Sequence, residues 1–210
     1  MKTFFIHATA ELAEVKFDVE DLPAKVGIVS TIQYLSEMGK VRRYLEDNGK
    51  KAVIGGQVLG CDQVAALAAG DVDGYLYVGT GEFHPIGVAL KTKKPVWILN
   101  PQSMAIEKLD DKKIVEIEKR RKIMLTKFYS SEVIGVLQTT KKGQSRAQVP
   151  SVEDIYGLEK KFPEKKFYYF LCETLDFKEL ENFPFVECWV NTMCPRIMED
   201  IRVLNIEDLP

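Results

Sequence analysis

Short β-branched runs alternate with longer stretches carrying a helical apolar stripe from Lys25 onward, the pattern of parallel-sheet α/β units. The first run, Val26-Gly-Ile-Val-Ser, predicts a strand. A helix is expected from about Thr31 to Asn48, because Tyr34, Leu35, Met38, Val41 and Leu45 fall on one stripe and Gly49 stands where a C-terminal cap belongs. Lys51-Ala-Val-Ile-Gly is the next strand, followed by an Ala-rich helix from Gln63 to Ala69. Gly74-Tyr-Leu-Tyr-Val-Gly and Pro95-Val-Trp-Ile-Leu-Asn continue the sheet, and the helix between them starts near His84 or Pro85. A long helix, about Asp110 to Tyr129, turns Ile114, Ile117, Met124, Leu125 and Phe128 inward. Its outward Lys119, Arg120 and Lys122 read as a solvated face.

A second unit begins at Glu132-Val-Ile-Gly-Val-Leu-Gln and crosses a polar loop, Thr139 to Gln148, into a helix whose start suits Pro150 and Ser151. Strands Lys166-Phe-Tyr-Tyr-Phe-Leu-Cys and Phe185-Val-Glu-Cys-Trp-Val follow, with a short helical piece near Asp176 to Asn182 between them. The expected fold class is α/β, two Rossmann-like parallel-sheet domains with flanking helices. The boundary falls near Ser130: residues 1–24 are a remnant of a preceding domain or an N-terminal extension, 25–130 a domain carrying Cys61, and 131–210 a domain carrying Cys194. The two units read as copies of one βα design.

Composition narrows the function classes. With 46% hydrophobic residues among 210, the chain can bury an ordinary core, and 29 basic against 31 acidic residues leave a formal charge of -2. That balance gives no bias toward nucleic acid or an anionic membrane. No apolar stretch approaches the roughly 18 residues of a membrane span, and Met1-Lys-Thr-Phe-Phe-Ile-His is too short an apolar run for a signal peptide, so a cytoplasmic protein is expected. Four cysteines, Cys61, Cys172, Cys188 and Cys194, lack the density of a disulfide scaffold. Reduced thiols are the default, and metal binding stays open.

In open parallel sheets ligands bind beyond the carboxyl ends of the strands, and this chain's glycine-rich and polar residues collect in those loops. They are Gly55-Gly-Gln-Val-Leu-Gly-Cys, Gly79-Thr-Gly-Glu-Phe-His-Pro, Asn100-Pro, Thr139-Thr-Lys-Lys-Gly-Gln-Ser-Arg and Asn191-Thr-Met-Cys-Pro-Arg. Cys61 precedes a helix, where the peptide dipole favours the thiolate that a metal or a nucleophile requires. Cys61 and Cys194 are flanked by Gly, Asn or Pro and read as functional. Cys188 alternates with Val186 and Val190 as a core residue, and Cys172 reads as structural. His84, at a helix start, suits a ligand contact, a helix cap or a bond to a neighbouring carbonyl. The loop from Lys142 to Arg146 offers amides and a guanidinium for a carboxylate or phosphate. No Gly-x-Gly-x-x-Gly follows the first strand and no Walker lysine is present, so dinucleotide and P-loop functions find no support.

Four ordered segments, Gly56-Gln-Val-Leu-Gly-Cys61, Gly81-Glu-Phe-His-Pro85, Thr140-Lys-Lys-Gly-Gln-Ser-Arg146 and Asn191-Thr-Met-Cys-Pro-Arg196, resemble the motifs of the archaeal diphthamide synthase family, from about Phe17 to Asp200. Thr31-Ile-Gln-Tyr-Leu fits its pattern too. The resemblance implies three related α/β domains, each giving one cysteine to a 4Fe-4S cluster, with S-adenosylmethionine on the iron that lacks a cysteine. Cleavage at the methionine γ-carbon would give a 3-amino-3-carboxypropyl radical that adds to a histidine of translation elongation factor 2. Carried over, Cys61 and Cys194 are cluster ligands, while His84, Gln144 and Arg146 lie near S-adenosylmethionine, Arg146 holding its carboxylate. The first domain's cysteine loop has no counterpart here, so a chain supplying the missing domain is an implied partner, beside the elongation factor and a homo- or hetero-dimer mate. Two other readings fit the same residues. One is an inactive truncated homologue acting as a scaffold or electron-transfer partner, and the other is a protein for a different small metabolite or metal.

Overall fold

The computed structural model describes residues 6–139, 152–196 and 202–210, and the chain divides into two compact units, Met1–Ile114 and Val115–Pro210. In the first, strands β1 (Lys25–Ser30), β2 (Lys51–Gln57), β3 (Gly74–Val78) and β4 (Val96–Leu99) are parallel. A short antiparallel strand, β5 (Ile106–Lys108), completes the order β2-β1-β3-β4-β5. Helices α1 (Met38–Asp47), α2 (Val64–Ala68) and α3 (Phe83–Thr92) supply the crossovers. β3 is buried at every position, as a near-continuous apolar strand inside a parallel sheet must be.

The helix expected from Thr31 divides in two. Residues Ile32–Glu37 form a 3-10 turn, opened by Tyr34 N donating to Thr31 O at 3.2 Å, and α1 begins only at Met38. Tyr34 and Glu37 are both buried, and a three-residue turn sets positions three apart on one side, which an α-helix does only approximately. Gly49 takes the left-handed conformation at φ 79°, and Lys50 N closes onto Leu45 O at 3.0 Å, the cap the sequence predicts. β2 runs on to Gln57 because a bulge between Ile28 and Val29 brings Val29 opposite Gly56. A Cβ at Gly55 would stand 2.7 Å from Ala65 O, so glycine there lets α2 approach the strand.

The stretch before β1 packs into this unit. Leu12, Phe17 and Leu22 are buried in one cluster with Val26, Ile28, Met38, Val41 and Leu45. Tyr44 Oη donates to Phe17 O at 2.8 Å, and Leu12 N donates at 2.9 Å to the buried Glu37 carboxylate, which also takes Lys40 Nζ at 2.7 Å. The Lys40 ammonium first, then the Leu12 amide, hold the Glu37 carboxyl below its ordinary 4.5. A carboxyl whose folded value is depressed contributes its full stability above the unfolded value and loses it as pH falls through the folded one. Glu37→Gln is therefore expected to cost about 1.5–3 kcal/mol at pH 7 and to flatten the loss of stability below pH 4.5, read by urea unfolding at several pH values. An unchanged acid limb would remove Glu37 from that role.

In the second unit β6 (Val133–Thr139), β7 (Lys166–Cys172), β8 (Cys188–Asn191) and β9 (Leu204–Asn205) are all parallel in the order β7-β6-β8-β9. Its helices are α4 (Asp111–Ser130), which enters this unit at Val115, and α5 (Val152–Lys161). Met124 and Phe128 of α4 join Ile134, Val136, Leu158, Phe162, Cys188, Val190 and Leu204 in the core. Lys119, Arg120 and Lys122 are exposed, as the stripe predicts. With β6 in the place of β1, the strand order of the first unit's parallel strands recurs. The molecule is thus a mixed α/β protein with two mostly parallel sheets and flanking helices.

Candidate functional site: two cysteine turns at strand ends

Four residues after β2 ends, Cys61 stands exposed on a turn closed on itself. Leu59 N donates to Asp62 O at 2.9 Å and Asp62 N returns to Leu59 O at 3.4 Å. Gln63, 7% exposed, adds its Nε2 to Leu59 O. An exchanged amide would set two acceptors face to face, so that orientation is fixed. Two glycines let the turn dock on α3: a Cβ at Gly60 would run into the Phe83 ring, and one at Gly87 would stand 2.7 Å from Gln63 Nε2. Asp62 Oδ1 accepts from Val64 N at 2.9 Å. The helix after the cysteine is a single turn that starts three residues beyond it.

His84 lies half-buried in the first turn of α3, docked beside this turn through its neighbour Phe83. Its Nδ1 is 3.3 Å from the Tyr77 hydroxyl, and the N-cap residue Glu82 makes no side-chain cap hydrogen bond. Sequence left a ligand contact, a cap and a bond to a neighbouring carbonyl open for this histidine; the contact seen is with the Tyr77 hydroxyl. Over the carboxyl ends of β1 and β2 lies a cleft of about 680 Å³, lined among others by His7, Thr31, Gln33 and Gln57. His7 is one of its walls.

The second unit presents Cys194 just beyond β8, half-buried with a free thiol. Asn191, 1% exposed, organises the turn: its Oδ1 accepts from Met193 N at 3.0 Å, and its Nδ2 donates to Cys194 O at 3.0 Å and to Asn205 Oδ1 at 2.8 Å. Asn205 Nδ2 donates in turn to Pro195 O at 2.8 Å, so an amide ladder holds the turn on both sides. Asn205 escaped the sequence analysis. The clue available was an asparagine ending the apolar run Val203-Leu204, where a buried amide must find partners.

The remaining cysteines differ from these two. Cys188 is 1% exposed in β8, and burial pushes its thiol up to about 11, which keeps it protonated. Burial also raises Cys172, at the end of β7, whose Sγ donates to Gln138 O at 3.4 Å. Cys188 matches the core reading given to it, and Cys172 is half-buried. Gln144 and Arg146 lie outside the described residues.

Among the described residues no three His, Cys, Asp or Glu side chains gather as a metal site. An iron–sulfur cluster takes thiolates from separate loops as readily as from one motif. The donor chemistry fits such a group: Cys61 in the first unit and Cys194 in the second are thiols that are not fully buried, each on a turn fixed by hydrogen bonds beyond a strand's carboxyl end.

The sequence family described as diphthamide synthesis protein matches residues 3–201. The 2-(3-amino-3-carboxypropyl)histidine synthase of Pyrococcus horikoshii is 29% identical over 94% of this chain and 60% of its own. That of Methanocaldococcus jannaschii is 33% identical over 86% of this chain and 47% of its own. The crystal structure of Dph2 from Pyrococcus horikoshii with a 4Fe-4S cluster superposes with a TM-score of 0.74 at 28% identity, covering 91% of this chain and 57% of that one. This chain thus spans about half to three-fifths of the length of the curated relatives it matches.

Proposed function

Since this chain belongs to the diphthamide synthesis family, we propose that it serves the first step of diphthamide biosynthesis, transfer of the 3-amino-3-carboxypropyl group from S-adenosylmethionine to a histidine of translation elongation factor 2. The observation that carries this reading is the pair of cysteine turns, each at a strand's carboxyl end and each preorganised by buried amides. Cys61 and Cys194 would hold a 4Fe-4S cluster as thiolates, and a third thiolate would come from another chain or from a longer form of this protein. When bound, the cluster supplies one electron to the sulfonium, opening its bond to the methionine γ-carbon. The chain's own residues do the rest by position. Gln63 and the Asn191–Asn205 ladder fix the two turns so that little ordering is left for ligand binding. His84 would contact S-adenosylmethionine together with Gln144 and Arg146, whose guanidinium suits the carboxylate.

The test is anaerobic loading of the chain with iron and sulfide, addition of dithionite, S-adenosylmethionine and elongation factor 2, and chromatography for 5′-methylthioadenosine. Release of that product with a matching mass gain on the factor is expected. A loaded cluster that fails to bind S-adenosylmethionine would turn the assignment toward another small metabolite.

A further inference from the structure

Tyr77 is 1% exposed in β3, and its hydroxyl has one hydrogen-bond partner among the described residues, His84 Nδ1 at 3.3 Å. Burial foremost, and the Tyr34 phenol after it, push the Tyr77 hydroxyl up to about 12, so it is a neutral O–H at physiological pH. A buried O–H without an acceptor costs the full desolvation of a donor, whereas an oxygen lone pair left unused costs little. The hydroxyl therefore donates and Nδ1 accepts. The two rings lie stacked at 5.7 Å and 16°, and Phe83 meets the imidazole at 5.2 Å and 82°, so the ring is gripped as well as bonded. A Cβ at Gly79 would stand 2.6 Å from Tyr77 Oη, so the glycine keeps the hydroxyl's place open.

We propose that Tyr77 is a positioning residue that holds His84 as the neutral Nε2–H tautomer, a hydrogen-bond donor to an acceptor oxygen of the bound ligand and not a metal ligand or a general base. With Nδ1 filled by the phenol and Nε2 carrying the proton, neither nitrogen of the neutral ring offers a lone pair to iron. His84 is thereby excluded as a further cluster ligand beside Cys61 and Cys194. The ligand contact rests on the proposed function; the tautomer does not.

The chain has two histidines, so nitrogen-15 spectra of the imidazoles are readable, with His7→Gln assigning the second signal. At about pH 8, where an ordinary imidazole is neutral, Nδ1 of His84 is expected in the unprotonated range and coupled to a slowly exchanging phenolic proton. Tyr77→Phe should lose that proton and shift Nδ1, and Gly79→Ala, whose Cβ would stand 2.6 Å from Tyr77 Oη and 2.7 Å from Tyr77 Cζ and so displace the phenol, should do the same. A protonated Nδ1, or spectra unchanged in both variants, would overturn the tautomer. In the loaded chain His84→Gln, whose amide N–H replaces Nε2–H, should keep iron content and bind S-adenosylmethionine within about threefold of wild type. His84→Asn, whose amide falls at the Nδ1 position, should keep iron and weaken binding about tenfold or more, the worth of one ligand hydrogen bond. Loss of iron in both would make His84 a ligand and overturn the proposal. Should wild type bind no S-adenosylmethionine, the proposed function fails while the spectra still decide the tautomer.

Discussion

Removing either turn thiol is expected to abolish iron loading. After anaerobic reconstitution, Cys61→Ala and Cys194→Ala should each hold at least about tenfold less iron than the unaltered chain. Loss of an outer-shell contact alone typically costs 10- to 100-fold in metal affinity, and loss of a ligand costs more. The control is Cys188→Ala. That thiol is protonated and 1% exposed in β8, so its removal should lower stability by emptying core volume while leaving iron content alone. Iron and sulfide assays, with electron paramagnetic resonance after reduction, read the outcome. Equal iron in all three variants would withdraw both cysteines as ligands.

The largest expected effect on stability is that of Phe128→Ala. This ring is fully buried on α4, meets Phe162 edge-on at 5.0 Å and lies under Lys165 Nζ at 5.2 Å. Truncation removes its transfer energy and leaves a cavity between α4 and the sheet of the second unit, together about 3–5 kcal/mol. On the same helix Ile123 is 56% exposed, and Ile123→Ala should stay within about 0.5 kcal/mol. Urea denaturation of the two variants makes the comparison. A cost below about 1 kcal/mol at Phe128 would mean that the helix does not anchor the core as its burial indicates.

What could be read from the chain in advance follows from where the physical signal is local. The β-branched runs of β1, β3 and β4 and the stripe of α4 announce themselves, because burial on both faces or on one stripe leaves a periodic trace. β5 and β9 do not. Ile106-Glu-Lys is an edge strand with one apolar residue, and Leu204-Asn205 spans two residues, so neither has room for a period. The break at Met38 was hidden for a different reason: Tyr34 and Glu37 go inward together, and a carboxylate is not counted as apolar until Leu12 N and Lys40 are seen to satisfy it. The turns that carry Cys61 and Cys194 were legible as strand-end loops from their Gly, Asn and Pro neighbours. Gln63, Tyr77, Gly87 and Asn205 were not, since each acts through a contact whose partner is set by the fold.

The recurring strand order carries one more consequence, about ancestry. If one unit was copied to make the other, β2 corresponds to β7 and β3 to β8. Cys61 follows the second strand of its unit, whereas Cys194 follows the third. On that correspondence the two thiols stand on non-equivalent loops, so copying one unit would not by itself set a cysteine turn at the other unit's position.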